Sequence, residues 1–387
     1  MLILLSAYLV YPRPSNPLHR AIFLSYPLPK GHPHIPTHAI HEPDAPTYYG
    51  KGINDFAFVA FYIIVLSFTR EFLMQRLIRP LAISYGIRSR SKQNRFMEQA
   101  YTAIYFAFFG PLGLYIMYRT PVWYFDTVGM FEDFPHRSHE AMFKAYYLLQ
   151  ASYWAQQAIV LMLQLEKPRK DFKELVAHHI VTIALIWLSY RFHFTYMGLA
   201  VYITHDISDF FLAADRAARE QTSKTLNYIS SPIIVPFFTV FMVIWAYLRH
   251  YVNLVILASM FTDFKNVGPF ELNWETQQYK CWLSQCITFA LLAALQAINI
   301  FWFSFIIRIA VNMLKDHVEK DIRSDDEDDD EVEEETKTEK KTANGLLKDE
   351  PHANGSAGGI SNGTPKGTAP EGHESYAEAV TEGTKEQ

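Results

Sequence analysis

The feature that most limits what this chain can become is a series of apolar stretches, each close to bilayer length and separated by polar segments. A membrane-crossing helix needs about 20 mostly apolar residues, and only helices or closed barrels satisfy their own backbone in lipid. Such stretches run over 55–78, 100–118, 145–164, 175–194, 198–214, 229–248 and 284–311. They predict an all-α polytopic membrane protein. Residues 1–11, "MLILLSAYLVY", are apolar but short, with neither a basic start nor a small-residue cleavage site. They read as the end of a further span whose beginning precedes this chain.

Composition separates two materials that the mean hydropathy averages away. Up to about residue 313 the chain is rich in apolar and aromatic side chains, which include most of its 29 Phe and 23 Tyr. Beyond about 316 it is polar, the composition of a disordered tail. Residues 325–335 hold ten acidic residues, so the net charge of −5 describes the tail and not the body. Two cysteines, Cys281 and Cys286, imply no disulfide framework. Nothing in the chain has the pattern of a nucleic-acid binder.

Lys and Arg collect in alternate loops. Residues 79–99 carry five and 165–174 four, 215–228 adds Arg216, Arg219 and Lys224, and the tail opens with Lys315, Lys320 and Arg323. The intervening loops are longer and poorer, with three in 119–144 and three in 249–283. By the positive-inside rule the basic loops and the tail face the cytosol. Span 198–214 is short and interrupted by polar groups. A re-entrant helix fits its composition, but removing it would put the 215–228 loop on the wrong side.

The polar groups inside these spans are the candidate site. His178 and His179 stand near the start of span 175–194, and His205, Asp206 and Asp209 interrupt span 198–214. A short turn joins the two spans, so an antiparallel hairpin is expected, with both polar sets near its cytosolic side. Positions 205 and 209, and 206 and 209, share one broad helical face. Isolated ionisable groups in lipid cost a few kcal/mol each, so their clustering argues for mutual pairing and function. A carboxylate bonded to one imidazole nitrogen leaves the other free as base or nucleophile. A second option is a metal held by His178, His179, His205 and the two carboxylates. Membrane di-iron enzymes, however, use many more histidines.

At these residues the chain resembles the ceramide synthases, the Lag-motif branch of the TLC (TRAM-Lag-type) membrane proteins. "KPRKDFKELVAHHIVT", "YITHDISDFFL", "YLRHYVN" and "NWETQQYKCW" carry the resemblance, which covers about 90–316. It implies a TLC-type bundle of six core transmembrane helices plus one or two N-terminal spans. The implied division is 1–54, a partial span and lumenal segment; 55–89, a first helix and cytosolic loop; 90–316, the catalytic domain; and 317–387, a cytosolic tail. It further implies an endoplasmic reticulum enzyme that moves an acyl group from acyl-CoA, its co-substrate, to the amine of a sphingoid base, with no cofactor and no metal. On matching positions His178 is the acylated nucleophile. Asp206 or Asp209 orients it, and His179 or the other Asp relays protons with His205 beside them. Lys167, Arg169 and Lys170 suit the CoA phosphates, and Trp187 and Tyr202 are candidate walls for the lipid. The wording is closest to the fungal Lag type, which implies very-long-chain acyl groups, a small single-span accessory subunit and a homo- or heterodimer. The chain departs from the N-x-x-R-x-G pattern of many members at Phe194-Thr195-Tyr196-Met197-Gly198.

In the tail, Ser324 precedes the acidic run and is a candidate phosphorylation site. Asn354 and Asn362 head glycosylation sequons that a cytosolic tail leaves unmodified. The competing class is a non-enzymatic TLC-type lipid-binding or trafficking protein, which has no need of paired histidines facing H-D-x-S-D.

Overall fold

Long helices make up most of the computed structural model, which describes residues 2–36, 46–166, 171–220 and 227–316. After two short helices, α1 (Leu2–Val10) and α2 (His19–Ile22), comes α3 (Asn54–Leu73), which continues through a π turn (Met74–Ile78) into α4 (Arg79–Ser84). Then follow α5 (Arg90–Tyr118), α6 (Ala141–Met162), α7 (Phe172–Arg191), α8 (Thr195–Glu220) and α9 (Asn227–Trp245). A second π turn (Ala246–Val252) leads into α10 (Asn253–Thr262), and α11 (Trp282–Asp316) closes the series.

Each of the seven expected stretches lies on a helix. Among the described residues, five segments are both long and apolar enough to cross a membrane: Asn54–Ser84, Arg90–Tyr118, Phe172–Arg191, Val235–Thr262 and Trp282–Met313. Helices α6 and α8 are long enough, at about 33 and 39 Å, but carry the polar residues of the interior. Segment 198–214 belongs to one unbroken 26-residue helix, so no re-entrant break occurs there. The expected end of a span at 248 is corrected: the helix runs on through the π turn to Thr262. Arg249 therefore lies inside a helical segment, and the loop that follows, 263–281, keeps only Lys265 and Lys280.

Helix α8 is the hub. It packs along α5 and also touches α7, α9, the second π turn and α10, while α11 closes against α7 and α10. A Cβ at Gly113 of α5 would lie 2.5 Å from Tyr146 Oη and 3.2 Å from Ile203 of α8. Glycine there lets α5, α6 and α8 meet. Outward faces carry exposed apolar side chains such as Phe108, Ile159, Ile180, Val243 and Ile300, the surface a lipid environment requires.

One end of the bundle gathers Arg70, Glu98, Glu166, Asp171 and Arg216 around a common cavity. We call this the basic end, after its Arg-rich loops. The other end is closed by the chain before α3 and by the short strands β1 (Tyr48–Tyr49) and β2 (His139–Glu140), paired antiparallel. Buried Lys144 of α6 clamps it. Lys144 Nζ lies 2.7 Å from Asp55 Oδ1 and donates to the Ser25 and Gly50 carbonyls at 2.9 and 2.7 Å. Asp55 Oδ2 accepts from Tyr190 Oη and the Gly52 N–H. All three ammonium protons have acceptors, the condition under which a buried ion pair is tolerated.

Three buried histidines outside the spans stand at this end. His139 bonds Thr195 Oγ1 at 2.8 Å, His136 bonds the Glu132 carbonyl at 2.7 Å, and His193 contacts Lys51 at 3.3 Å. Burial pulls His136 down to about 3 and His193 to about 2, and holds His139 well below its ordinary range. In the folded protein they stay neutral, while unfolded imidazoles protonate below about 6.5. Their contribution is therefore complete above about pH 6.5 and declines as pH falls toward 3, by up to about 1.4 kcal/mol per pH unit for each. The thermal midpoint of the solubilised protein is expected to fall between pH 7 and 5. His193→Asn, which suits the left-handed backbone at φ 68°, is expected to flatten that slope. An unaltered slope would contradict the assignment.

Candidate active site

Helices α7 and α8 are joined by three residues, 192–194, and form the expected hairpin. His178, 4% exposed, projects from the second turn of α7 toward α8. Its ring centroid lies 5.7 Å from His179, 6.5 Å from His205, 5.9 Å from Trp154 of α6 and 5.1 Å from Trp302 of α11. The three histidines are thus one cluster, walled by two tryptophans that the sequence reading did not single out.

Their hydrogen bonds differ in a way that matters chemically. His179 Nδ1 bonds the Leu175 carbonyl at 2.8 Å and His205 Nδ1 the Val201 carbonyl at 2.9 Å. A carbonyl only accepts, so both carry the proton on Nδ1 and keep a lone pair on Nε2. No backbone carbonyl holds His178. Its Nε2 lies 3.4 Å from Thr182 Oγ1, and its Nδ1 is buried with no hydrogen-bond partner among the described residues.

The carboxylates do not take the places expected of them. Asp206, fully buried, turns toward α6, where Tyr146 Oη donates to Oδ2 at 2.9 Å and Gln150 Nε2 donates to the same oxygen. Asp209 pairs with Arg249 at 2.5 Å. Neither bonds His178 or His179, so the expected imidazole–carboxylate bond is not formed. Three residues apart on α8 they face different neighbours, because buried polar partners on α6 and the second π turn divide them.

Arg249 is the residue sequence reasoning missed. It is 1% exposed and holds the polar face of α8 with nearly every donor it has. Nε donates to Ser208 Oγ at 2.6 Å, Nη1 to Asn299 Oδ1 at 3.2 Å, and Nη2 to Asp209 and to the His205 carbonyl at 3.4 Å. Its guanidinium lies 4.1 Å from the Trp245 ring centroid. Arginine within an apolar span is itself a functional signal, but apolar length alone ends the span one residue before it.

Two cavities meet at this cluster. The first opens at the basic end and is bordered by Arg70, Glu98, Asp171, His179, Asp209 and Arg216. The second is lined mainly by apolar side chains such as Leu185, Leu188, Val201, Leu291 and Leu295. It extends to Leu272, Trp274 and Tyr279 of the 263–281 loop. Along α7 it spans His178 to Phe192, about 21 Å of helix. His178 and Trp154 border both.

Of the other candidates, Tyr202 and His205 line the apolar cavity. Trp187 borders neither cavity and is 49% exposed on the outer face of α7, which corrects its expected role as a lipid wall. Lys167, Arg169, Lys170, Ser324 and the tail lie outside the described residues. Among the described residues no group of three or more His, Cys, Asp and Glu is arranged to hold a metal ion. Asp206 and Asp209 are instead turned to other partners.

Comparison with known proteins adds an independent line. The TLC domain family matches residues 95–308. Sphingosine N-acyltransferase-like protein FUM17 of Gibberella moniliformis is 56% identical over 277 residues, covering 71% of this chain and 69% of that protein. Ceramide synthase LAG1 of Saccharomyces cerevisiae is 48% identical over 311 residues, 80% and 70% of the two chains. Sphingosine N-acyltransferase lac1 of Schizosaccharomyces pombe is 46% identical over 311 residues, 80% and 76%.

The Arg249–Asp209 pair gives a stability test. Arg249→Met leaves the partly buried Asp209 carboxylate without its ion-pair partner and is expected to cost about 1–3 kcal/mol, read as a lower thermal midpoint in size-exclusion of solubilised protein. The double variant Arg249→Met/Asp209→Leu is expected to recover much of that loss. Equal loss in both would contradict the pairing.

Proposed function

The chain belongs to the TLC-domain family, in its fungal sphingosine N-acyltransferase (ceramide synthase) branch, and from that premise we propose that it transfers a fatty acyl group from acyl-CoA to the amine of a sphingoid base through an acyl-histidine at His178. The observation that carries this reading is the position of His178 on the border of the two cavities. An acyl-CoA laid across that border puts its charged head in the polar cavity, its chain in the apolar one and its thioester beside the imidazole.

The first half-reaction is then plain. Nδ1 of His178, with its lone pair free while Nε2–H faces Thr182, attacks the thioester carbonyl. The carbon–sulfur bond breaks, and the imidazole proton leaves with the thiolate as free CoA. The acyl-imidazole is a reactive intermediate, and the apolar cavity and the flanking tryptophans shield it from water. In the second half-reaction the amine must lose a proton before it attacks. His179, fixed by the Leu175 carbonyl with Nε2 left as acceptor, supplies the base. Asp206 and Asp209 serve this scheme as positioning residues. Asp209 acts through Arg249 on the α8 backbone at His205, and Asp206 through Tyr146 and Gln150 on the α6–α8 contact.

The length of the apolar cavity supports a long acyl chain, and the fungal Lag-type resemblance extends the expectation to very long ones. We place the protein in the endoplasmic reticulum membrane with its basic end and tail in the cytosol, where acyl-CoA is supplied. The accessory subunit and the dimer rest on the resemblance alone.

His178→Ala is expected to lower amide formation at least about 100-fold in microsomes given acyl-CoA and sphinganine. Incubated with acyl-CoA alone, the wild-type protein should gain one acyl mass at His178, removable by hydroxylamine and missing from the variant. Undiminished amide formation by His178→Ala would overturn the assignment.

A further inference from the structure

The polar cavity contains one carboxylate whose contacts do not explain its burial. Asp171 directly precedes α7, borders the cavity and is 8% exposed. Its Oδ2 accepts from Trp302 Nε1 at 3.0 Å, but Oδ1 is buried and no hydrogen bond from the described residues reaches it. A buried carboxylate oxygen without a donor is costly and calls for an explanation. The other acids on this cavity are engaged: Asp209 by Arg249, Glu166 by Arg70, and Glu98 as well. Through Trp302, whose ring lies 5.1 Å from that of His178, the Asp171 carboxylate stands one indole away from the proposed acylation site.

We propose that Asp171 Oδ1 is the docking point for the ammonium group of the sphingoid base. This deepens the acyl-transfer reading and rests on it. A protonated amine carries the donors that Oδ1 lacks, and a charge-assisted bond there holds the base on the polar-cavity side of His178. The ammonium then gives one proton to His179 Nε2. The neutral amine attacks the acyl carbon, the bond from that carbon to the imidazole breaks, and the second amine proton passes to the departing imidazole nitrogen. The products are the amide, neutral His178 and a proton that His179 returns to the water of the cavity. Asp206, whose Oδ1 also lacks a hydrogen-bond partner among the described residues, does not border this cavity, and Asp209 is paired with Arg249.

The test uses the full chain in detergent or nanodiscs. Asp171→Asn removes the charge and leaves an oxygen to accept from Trp302. Trp302→Phe removes the indole N–H together with the five-membered ring and leaves the Asp171 charge in place. Three quantities are read: the burst of CoA released from acyl-CoA alone, the KM for sphinganine, and transfer of the acyl group to hydroxylamine, a small nucleophile largely uncharged at neutral pH. Asp171→Asn is expected to raise the sphinganine KM about 10-fold or more, with the burst and hydroxylamine transfer close to wild type. An unchanged KM overturns the proposal. So does an equal loss of burst or hydroxylamine transfer, or a Trp302→Phe variant with the same rise in KM, because Asp171 would then act only by positioning Trp302. If Asp171→Asn does not fold, Asp171→Glu keeps the charge but displaces it by one methylene. It is expected to raise the sphinganine KM and spare the burst, and an unchanged KM overturns the proposal there too. A wild-type protein that releases no CoA and makes no amide would instead count against the acyl-transfer reading itself.

Discussion

A charge carried into the bilayer-thick part of a helix bundle must meet a partner, and here Arg249 is that partner for α8. Its guanidinium reaches Asp209, Ser208 and the His205 carbonyl on one helix and Asn299 on another. With those bonds made, α8 cannot rotate its polar face toward lipid, and α11 is drawn in beside it. The π turn that holds Arg249 has a reason in this contact, since π turns inside α-helices are frequent where a side chain must be re-aimed at a functional site. The same helix is pinned on its far side by Tyr146 and Gln150 on Asp206. Between these two anchors, His205 and the hairpin partner bearing His178 and His179 have little freedom to move.

That rigidity gives the bundle two interiors of different character, with one imidazole at their border. Charged side chains rim one, and leucine, valine and aromatic side chains line the other. A molecule with a highly charged head and a long apolar tail matches both at once, and its reactive junction falls at the border. In the proposed reaction the protein therefore need not recognise the thioester by many specific contacts. The partition of head and tail brings it into register, which is catalysis by positioning. The clamp of Lys144, Asp55 and Tyr190 at the opposite end ties the chain before α3 to α6 and α7.

Much of this was legible in the sequence because lipid imposes a strong pattern. Apolar length announced every long helix, and the cost of ionisable groups singled out His178, His179, His205, Asp206 and Asp209 as belonging to the interior. What could not be read was which partner each would choose. Periodicity put Asp206 and Asp209 on one face, but the choice between an imidazole, a tyrosine and an arginine depends on helices distant in sequence. Arg249 escapes the sequence pattern for a local reason: hydropathy drops at "YLRHYVN", which marks a span end there, while the helix runs on to Thr262. Trp187 failed in the opposite sense, being an aromatic at the right depth but on the lipid-facing side of α7. Asp171 escaped notice as one acid in a charged stretch, and only the bond from Trp302, 131 residues away, marks it as buried.

The central claim is that His178 lies at the boundary across which head and tail of an acyl-CoA are divided. A density map of the protein bound to a non-cleavable thioether analogue of acyl-CoA tests it most directly. The account predicts the acyl chain running along α7 toward Leu272 and Tyr279, the nucleotide head among the charged side chains of the basic end, and the thioether beside His178. A head group at the 263–281 loop, or a chain lying outside the bundle with His178 uncontacted, would contradict it.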